Sequence, residues 1–347
     1  MKRLDARHFK IDFRKAPSER WEELLTDPWA IRKARTLCNA VSRQWQAQFG
    51  RLTPLVTGPV AKAASFLARR SQGDLDYVED MEVWSEYAVG DFNRVILANF
   101  SYEVSQVHGG IGNGLQQAKN GIFKRLGFCT SVAFRRPRLG MVHCRNMDWP
   151  ISQIKDATIV LDCKSDAGPF KAVSVPGMVG VLSGVARGRF SMTVNSKEDL
   201  NHVVPNPAGW GATLLVRWIF ECCGSYEAAL RELRKAPAFV PFYVMLVGLK
   251  PDEAVVVEVN RSGRNRVHKQ PGYPVAVANH YPAEISEDEE MDSQERQELV
   301  EERAIGCKAK SLSGCFSVVN EYPVMHAGTV QSMVLHPRTG TVLLQHL

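Results

Sequence analysis

A cysteine, an arginine and an aspartate lie within 20 residues of one another in the sequence, just past the first third of the 347-residue chain. Cys129 opens the run Cys-Thr-Ser-Val-Ala-Phe, and Arg145 and Asp148 follow 16 and 19 residues later. A neighbouring cation favours the thiolate, which is the nucleophilic form of a cysteine. A carboxylate can orient a protonated partner of such a nucleophile. These residue types at this spacing therefore predict a nucleophilic thiol site.

Two short strands joined by a turn would bring these side chains together. Apolar and small residues alternate from Thr130 to Phe134, and the pattern resumes from Gly140 to Cys144 after a basic turn. Because a hairpin folds its ends together, the start of the first strand lies beside the end of the second. The sequence predicts strands over 130–136 and 140–147, with Cys129 facing the cation and the carboxylate.

The same residues also have a plain structural interpretation. A single cysteine at the start of a strand is commonly a buried thiol, and Arg145 and Asp148 could form an ion pair at a strand end. The glycine-rich run 108–114 lacks the preceding strand and the Lys-Ser/Thr of a phosphate-binding P-loop, which favours a flexible connector. From the residues alone, the catalytic and structural interpretations both stay open.

The composition is that of an ordinary globular protein. Hydrophobic residues make up 45% and charged residues 23% of the chain. The net charge is +6, with Lys and Arg scattered, so we expect no nucleic-acid partner. The sequence shows neither a signal peptide nor a membrane span, and the eight cysteines have no metal-ligand spacing. We therefore expect a cytoplasmic protein in a reducing compartment, with no metal or cofactor.

The chain changes character at Cys129. The first third is mainly helical after a short edge strand at residues 9–13. Beyond Cys129, period-two patterns predict further strands over 157–163, 170–175, 189–195, 242–249, 253–260, 273–279, 328–336 and 340–346. Helices are predicted over 210–222, 225–235 and 292–310. Strands interrupted by helices indicate an α+β architecture of stacked sheets covered by helices.

Several segments resemble one enzyme family, in the same order along the chain. They are Ala16-Pro-Ser-Glu-Arg-Trp21, Ala98-Asn-Phe-Ser-Tyr-Glu103, Cys129-Thr-Ser-Val132, Cys144-Arg-Asn-Met-Asp-Trp149, Phe190-Ser-Met-Thr-Val-Asn-Ser-Lys-Glu198 and Ala278-Asn-His-Tyr281. This set is similar to the N-terminal nucleophile (Ntn) cysteine hydrolases of the choloylglycine hydrolase superfamily. The likeness is greatest to its lipid-amidase branch, the N-acylethanolamine acid amidases and acid ceramidases.

The resemblance implies both a fold and a self-cleavage step. The fold is an αββα sandwich of two stacked, largely antiparallel sheets flanked by helices and preceded by a mainly helical N-terminal segment. The cut falls between Phe128 and Cys129, giving a propeptide of residues 1–128 and a catalytic body of residues 129–347 that stay associated. The freed α-amine of Cys129 then acts as a general base, because its ordinary pKa is about 8.

The resemblance also assigns roles to seven site residues. The catalytic set is Cys129, Arg145, Asp148, Asn279 and Asn195, and the substrate-binding pair is Glu198 and Arg296. By similarity, Asp148 holds the new amine, Arg145 flanks the nucleophile, and Asn279 donates to the oxyanion in a pocket that Asn195 also lines. The alternatives are turn positions for Asn279, Asn195 and Glu198 and an ordinary surface i,i+4 pair for Arg296.

The implied activity is hydrolysis of N-acyl amides, chiefly fatty-acyl amides such as N-acylethanolamines or ceramide-like lipids. The alternatives are an acyltransferase of the same fold that passes the acyl group to an amine, and an uncleaved, non-catalytic binding protein. The apolar helix Val60–Leu67 could line an acyl channel or make a peripheral membrane contact. It could equally pack on the body of the enzyme.

Two features depart from the family pattern. About two dozen residues, Val104–Phe128, separate the Tyr-Glu segment from the nucleophile, where family members have almost none. Cys144 stands where the family has glycine, and we expect it to place a second thiol close to Cys129.

Overall fold

The computed structural model describes residues 3–49, 62, 77–103, 129–149, 151–197, 205–269, 272, 274–280 and 291–347. Several predictions fall outside these ranges. They are the helix at 60–67 apart from residue 62, the insertion 104–128 with the residue before the expected cut, and Glu198.

Two sheets form the centre of the protein. The larger has, in spatial order, β1 (Arg7–Asp12), β4 (Ile159–Lys164), β5 (Phe170–Ser174), β6 (Ser183–Ala186), β7 (Phe190–Ser196), β8 (Phe242–Val247), β9 (Ala254–Val259) and β10 (Arg266–His268). The smaller has β11 (Val275–Val277), β2 (Cys129–Arg136), β3 (Gly140–Asp148), β12 (Thr329–His336) and β13 (Thr341–Leu344). Neighbouring strands pair antiparallel except β1 and β4, which run parallel.

The described helices lie before, between and after the strands along the chain. They are α1 (Pro17–Arg20), α2 (Glu22–Leu25), α3 (Pro28–Phe49), α4 (Tyr77–Trp84), which continues as a π-helical turn over 85–89, α5 (Phe92–Asn99), α6 (Ala212–Cys222), α7 (Tyr226–Lys235) and α8 (Met291–Gly306). Short 3-10 segments cover Ser152–Ala157 and Ser313–Val318. In the ranges that the structure describes, no helix combines the length and apolar character needed to cross a bilayer.

Three apolar interfaces hold these elements in four layers. Helices α3 to α7 pack on the outer face of the eight-stranded sheet in one large core. The inner faces of the two sheets meet through residues such as Met141, Tyr243 and Met245. Helix α8 covers the other face of the five-stranded sheet, with Val300 against Val132. The order helix, sheet, sheet, helix confirms the predicted αββα architecture.

The N-terminal segment is part of this architecture. β1 forms the edge of the eight-stranded sheet, and α3 to α5 contribute buried residues to the same core as α6. A buried ion pair adds to the contact, with Arg217 of α6 placing Nη1 2.6 Å from Asp80 Oδ2 of α4. The described residues before Cys129, 3–49 and 77–103, therefore pack as part of the same fold as the residues after it.

Candidate active site

The β2–β3 hairpin brings Cys129 and Arg145 together. Cys129 pairs with Met147, and Ser131 pairs with Arg145. Because side chains alternate across a strand, positions 129, 131, 145 and 147 point to one face of the sheet, toward the larger sheet. The Cys129 side chain is buried, and Arg145 Nη2 lies 3.1 Å from its Sγ atom. The predicted hairpin is confirmed.

The other bonds of Arg145 fix its guanidinium across the sheet interface. Nη1 donates to Leu182 O at 2.7 Å and to Ser183 Oγ at 2.8 Å, and Nη2 donates to Val194 O at 2.5 Å. These three acceptors are neutral oxygens of the larger sheet and the turn before it. They orient the arginine without cancelling its charge, and they hold its Nη2 atom against the thiol of Cys129.

Asp148 lies at the end of β3 and is almost fully buried. Its Oδ1 accepts a 2.6 Å hydrogen bond from the Thr329 hydroxyl. Its Oδ2 lies 3.2 Å from His326 Nε2 but makes no aligned hydrogen bond. His326 Nδ1 in turn accepts the Gly328 amide proton at 3.1 Å.

Sequence reasoning missed Thr329 and His326. They follow the aspartate by about 180 residues and reach it only because β12 pairs with β3. No local motif marks them, although a threonine that opens a strand beside a motif strand would have been a usable signal.

Asn279 and Arg296 form hydrogen bonds with the backbone of Cys129. Asn279 Oδ1 accepts the Cys129 amide proton at 3.1 Å and a 2.9 Å bond from Arg296 Nη2. Arg296 Nη1 donates to Cys129 O at 3.1 Å and to Thr130 Oγ1 at 2.7 Å. A guanidinium only donates, so the Asn279 oxygen must face it. The Asn279 amide nitrogen is then directed at Ser196, with Nδ2 2.6 Å from Oγ.

This geometry bears on two of the expected roles. Arg296 is buried by the packing of α8 on β2 and β11, so its interpretation as a surface i,i+4 pair is wrong. Arg296 contacts the backbone of Cys129, and substrate binding by Arg296 stays a prediction. Oxyanion donation by Asn279 also stays a prediction, and it would require the amide nitrogen to exchange its bonds with Ser196.

Asn195 is directed between the sheets. Its Oδ1 accepts from Ser131 Oγ at 2.9 Å, and its Nδ2 donates to Val277 O and Ala278 O at 3.1 and 3.0 Å. Its strand neighbours Val194 and Ser196 line the cavity at Cys129. Asn195 thus connects β7 to β2 and to the end of β11, next to the cavity.

The expectation for Cys144 is wrong. Cys144 and Arg145 are consecutive on β3, so their side chains point to opposite faces. The Cys144 thiol lies in the cluster under α8, 3.6 Å from Cys315 O, whereas Cys129 belongs to the core on the other side of the sheet. All eight cysteines are free thiols.

A cavity of about 70 Å³ opens at the Cys129 thiol, enough for several water molecules. Its wall combines residues from both sides of the expected cut: Asn99, Ser101, Tyr102, Cys129, Arg145, Met147, Asp148, Trp149, Met178, Leu182, Val194, Ser196 and Thr213. The wall is mostly apolar, with the guanidinium of Arg145 beside the thiol and Asp148 elsewhere in the lining. Within the described ranges, no group of three His, Cys, Asp or Glu side chains is placed to hold a metal ion.

Glu103 is a buried carboxyl near this cavity. It is 1% exposed, and its Oε1 accepts a 2.7 Å bond from the Ala212 amide at the start of α6. Its Oε2 is buried without a hydrogen-bond partner. Burial raises the pKa of Glu103 to about 7. The next residue of α6, Thr213, lines the cavity, so Glu103 links the N-terminal segment to its wall.

Comparison with known proteins places this geometry in a family. The sequence model of the acyl-coenzyme A:6-aminopenicillanic acid acyl-transferase family matches residues 137–322, which is more than half of the chain. The chain belongs to this family. The matched region includes Arg145, Asp148, Asn279 and Arg296 and begins just after β2, the strand that Cys129 opens.

Relatives of this acyl-transferase family member include named amidases and ceramidases. An N-acylethanolamine-hydrolyzing acid amidase of Cavia porcellus is 24% identical over 93% of this chain and 85% of its own length. The acid ceramidase of Homo sapiens is 30% identical over 38% of this chain and 40% of its own length. The match thus spans less than half of the length of that ceramidase.

A solved structure has the same fold. The N-acylethanolamine-hydrolyzing acid amidase ortholog of Caenorhabditis elegans superposes with a TM-score of 0.52 at 20% identity, covering 60% of this chain and 93% of that one. Together with the four-layer order, this confirms the Ntn-hydrolase sandwich predicted from the sequence.

Proposed function

We propose that this protein is a self-cleaving cysteine amidase that hydrolyses N-acyl amides through a thioester on Cys129. The supporting observation is the 3.1 Å contact between Arg145 Nη2 and the Cys129 thiol. The contact lies in a cavity that Asp148 also lines. A thiol beside a fixed cation, with a carboxylate close by, is suited to nucleophilic attack on an acyl carbon.

The first reaction is the cut between Phe128 and Cys129. The thiol attacks the carbonyl carbon of residue 128, the C–N bond gives way to a C–S bond, and water hydrolyses the thioester. The products are a carboxyl on residue 128 and a free α-amine on Cys129. Asn279 Oδ1 on the Cys129 amide and Arg296 on the Cys129 carbonyl support this step, because they immobilise the nucleophile's backbone on both sides of its Cα atom.

The new α-amine serves as the base in turnover. It takes the thiol proton, the thiolate attacks the substrate carbonyl, and the amine leaving group departs with that proton. Water activated by the same α-amine then releases the acid from the thioester. We assign Asp148 Oδ2 as the acceptor for the α-ammonium, because Asp148 lines the cavity at Cys129 and this oxygen makes no aligned hydrogen bond, although His326 Nε2 lies 3.2 Å from it.

The substrate that we propose is a fatty-acyl amide, such as an N-acylethanolamine or a ceramide-like lipid. The apolar wall formed by Met147, Trp149, Met178 and Leu182 suits a hydrocarbon next to the scissile amide. The amidase and ceramidase names of the relatives agree with this class.

The two fragments are proposed to stay associated after the cut. The pairing of β1 with β4, the Asp80–Arg217 ion pair and the Glu103–Ala212 bond all connect the segment before Cys129 to the body after it. We also propose a reducing, cytoplasmic setting, which the eight free thiols favour. A peripheral membrane contact stays part of the proposal.

Mass spectrometry of the purified protein tests the mechanism. We expect fragments 1–128 and 129–347, co-eluting in gel filtration, and release of fatty acid from N-acyl amides. Cys129→Ala should abolish both the cut and turnover, whereas Cys222→Ala, which removes an exposed thiol, should leave both unchanged. An intact, inactive chain at every pH tested would instead favour the uncleaved binding protein.

A second candidate function is acyl transfer, which the description of the matched family favours. It uses the same thioester, with an amine in place of water as the acceptor. Adding a primary amine to the reaction separates the two. A new amide formed faster than the free acid would favour the transferase, and free acid as the main product would favour the amidase.

A further inference from the structure

Five polar side chains lie between the two sheets, directly behind the nucleophile. They are Ser191, Thr193 and Asn195 of β7, His143 of β3 and Ser131 of β2, and all five are fully buried. Their consecutive contacts measure 3.0 Å for Ser191–His143, 3.1 Å for His143–Thr193, 3.0 Å for Thr193–Ser131 and 2.9 Å for Ser131–Asn195. We call this row the inter-sheet chain.

The direction of the hydrogen bonds follows from its Asn195 end. Asn195 Nδ2 faces two backbone carbonyls, Val277 O and Ala278 O, which only accept. Its Oδ1 therefore faces Ser131 and accepts the single hydroxyl proton of that serine. With that proton used, Ser131 Oγ must accept from Thr193, whose own proton is then used as well.

The same reasoning fixes the state of His143. Thr193 Oγ1 can only accept from His143, so Nε2 carries a proton. Burial and the nearby Arg145 lower the pKa of His143 to about 3, so the ring is neutral and Nδ1 is bare. Nδ1 then accepts from Ser191. Every donor in the inter-sheet chain points the same way, an arrangement in which successive bonds strengthen one another.

The inter-sheet chain ends at the two parts of the site that must stay aligned. Ser131 lies two residues after Cys129 on the same face of β2, and the last acceptor, Ala278 O, belongs to the residue before Asn279. Asn279 in turn accepts the Cys129 amide proton. His143 also precedes Arg145 by two positions on the same face of β3.

We propose that His143 is a positioning residue whose imidazole, protonated on Nε2, holds β7 against β2 and β3 and so aligns the Cys129 thiol with Arg145. The role rests on the proposed function, since it concerns the same thiol. His143 is a buried histidine that contacts neither the substrate nor the thiol. A misplacement of about 1 Å at a reacting group can cost about a hundredfold in rate, so loss of the alignment should lower kcat and the self-cleavage rate and leave KM unchanged.

The ring state can be measured without any substrate. Long-range N–H spectra of the full chain labelled with ¹⁵N-histidine should show His143 protonated on Nε2 and bare on Nδ1. The signals of this ring are identified by their loss in His143→Gln. A proton on Nδ1, or on both nitrogens, at neutral pH would overturn the proposal.

Paired variants test the positioning role. His143→Gln keeps one acceptor and one donor, and Thr193→Ser keeps the hydroxyl, so both should retain kcat and self-cleavage within about threefold of the parent. His143→Leu and Thr193→Val leave hydroxyl groups without partners, and both rates should fall by about 10- to 100-fold with KM within about twofold. Met141→Leu, on the same face of β3 outside the inter-sheet chain, is the matched control and should match the parent.

The outcomes separate this proposal from the amidase proposal. Parental rates in Thr193→Val, or equal losses in His143→Gln and His143→Leu, would refute the positioning role. If His143→Leu does not fold, the Thr193 pair decides. If no N-acyl amide is turned over, the amidase proposal fails, while the tautomer and the self-cleavage rates still decide the role of His143.

Discussion

Replacing Glu103 with glutamine should change how the stability of this protein depends on pH. Glu103 is buried at the start of α6, with one oxygen bound to the Ala212 amide and the other without a partner. Burial disfavours its charged form and raises its pKa from 4.5 to about 7. The folded protein therefore keeps this proton over a range in which the unfolded chain has lost it.

The magnitude follows from linkage between proton binding and folding. Because the folded state binds more protons between pH 4.5 and about 7, the stability contributed by Glu103 is complete below pH 4.5 and falls as the pH rises to about 7. At about 1.4 kcal/mol per pH unit, the loss amounts to roughly 3 kcal/mol by pH 8. Glutamine resembles the protonated acid and does not titrate. The variant should match the parent at pH 4 and exceed its stability by up to roughly 3 kcal/mol at pH 8.

Urea unfolding at several pH values provides the assay. The Cys129→Ala background keeps both proteins in one chain, so the comparison does not depend on self-cleavage. Glu86→Gln, at an exposed position of the π-helical turn, is the control and should show no such trend. A constant difference between Glu103→Gln and parent from pH 4 to pH 8, or an advantage confined to low pH, would refute the reasoning.

Three further substitutions probe the ion pairs and the site. Arg217→Leu leaves the buried carboxylate of Asp80 without its closest cation and should cost about 3–5 kcal/mol in urea unfolding; adding Asp80→Asn should recover part of the loss. Thr329→Val removes the hydroxyl that orients Asp148 and should lower kcat by about tenfold without changing thermal stability by more than a few degrees; unchanged turnover would show that the carboxylate needs no such support. Arg145→Met removes the cation beside the thiol, so alkylation by iodoacetamide near neutral pH should slow by about tenfold or more; an equal rate would contradict a role for the cation.

The hairpin with its thiol and arginine could be predicted because local patterns specify it. Alternation from Thr130 to Phe134, a turn, and a second alternation place Cys129 opposite Met147 whatever the rest of the chain does. Arg145, 16 positions on, is then close to the thiol through the hairpin alone. Local spacing was sufficient here.

Elements and contacts that depend on packing between residues far apart in the sequence could not be predicted. β6 (Ser183–Ala186) has no alternation of apolar and polar residues that would predict a strand. Its Gly184 faces the Phe220 ring, which would lie 2.8 Å from a Cβ atom at that position, so the packing requires glycine there. β10 (Arg266–His268) is a three-residue polar edge strand and was missed for want of any apolar alternation. The burial of Arg296 depends on how α8 docks, which its charged sequence does not reveal.

The error over Cys144 has a simple physical cause. Sequence proximity to Arg145 suggested spatial proximity to Cys129, but consecutive residues of a strand face opposite sides. A period-two count from Met147 back to Arg145 would have kept the arginine and rejected the cysteine. The same count identifies His143 as a neighbour of the site.

The proposed cut gives the parallel pairing of β1 with β4 a consequence for the lifetime of the two-fragment protein. Residues 7–12 form the edge of a sheet whose other strands all follow Cys129. While the chain is intact, β1 pairs with β4 of the same polypeptide. After the proposed cut, unfolding would release two separate polypeptides, and refolding would require them to meet again in dilute solution. The lifetime of the cleaved protein would then depend on its unfolding rate. Each molecule would have to fold before the cut, while it is still a single chain.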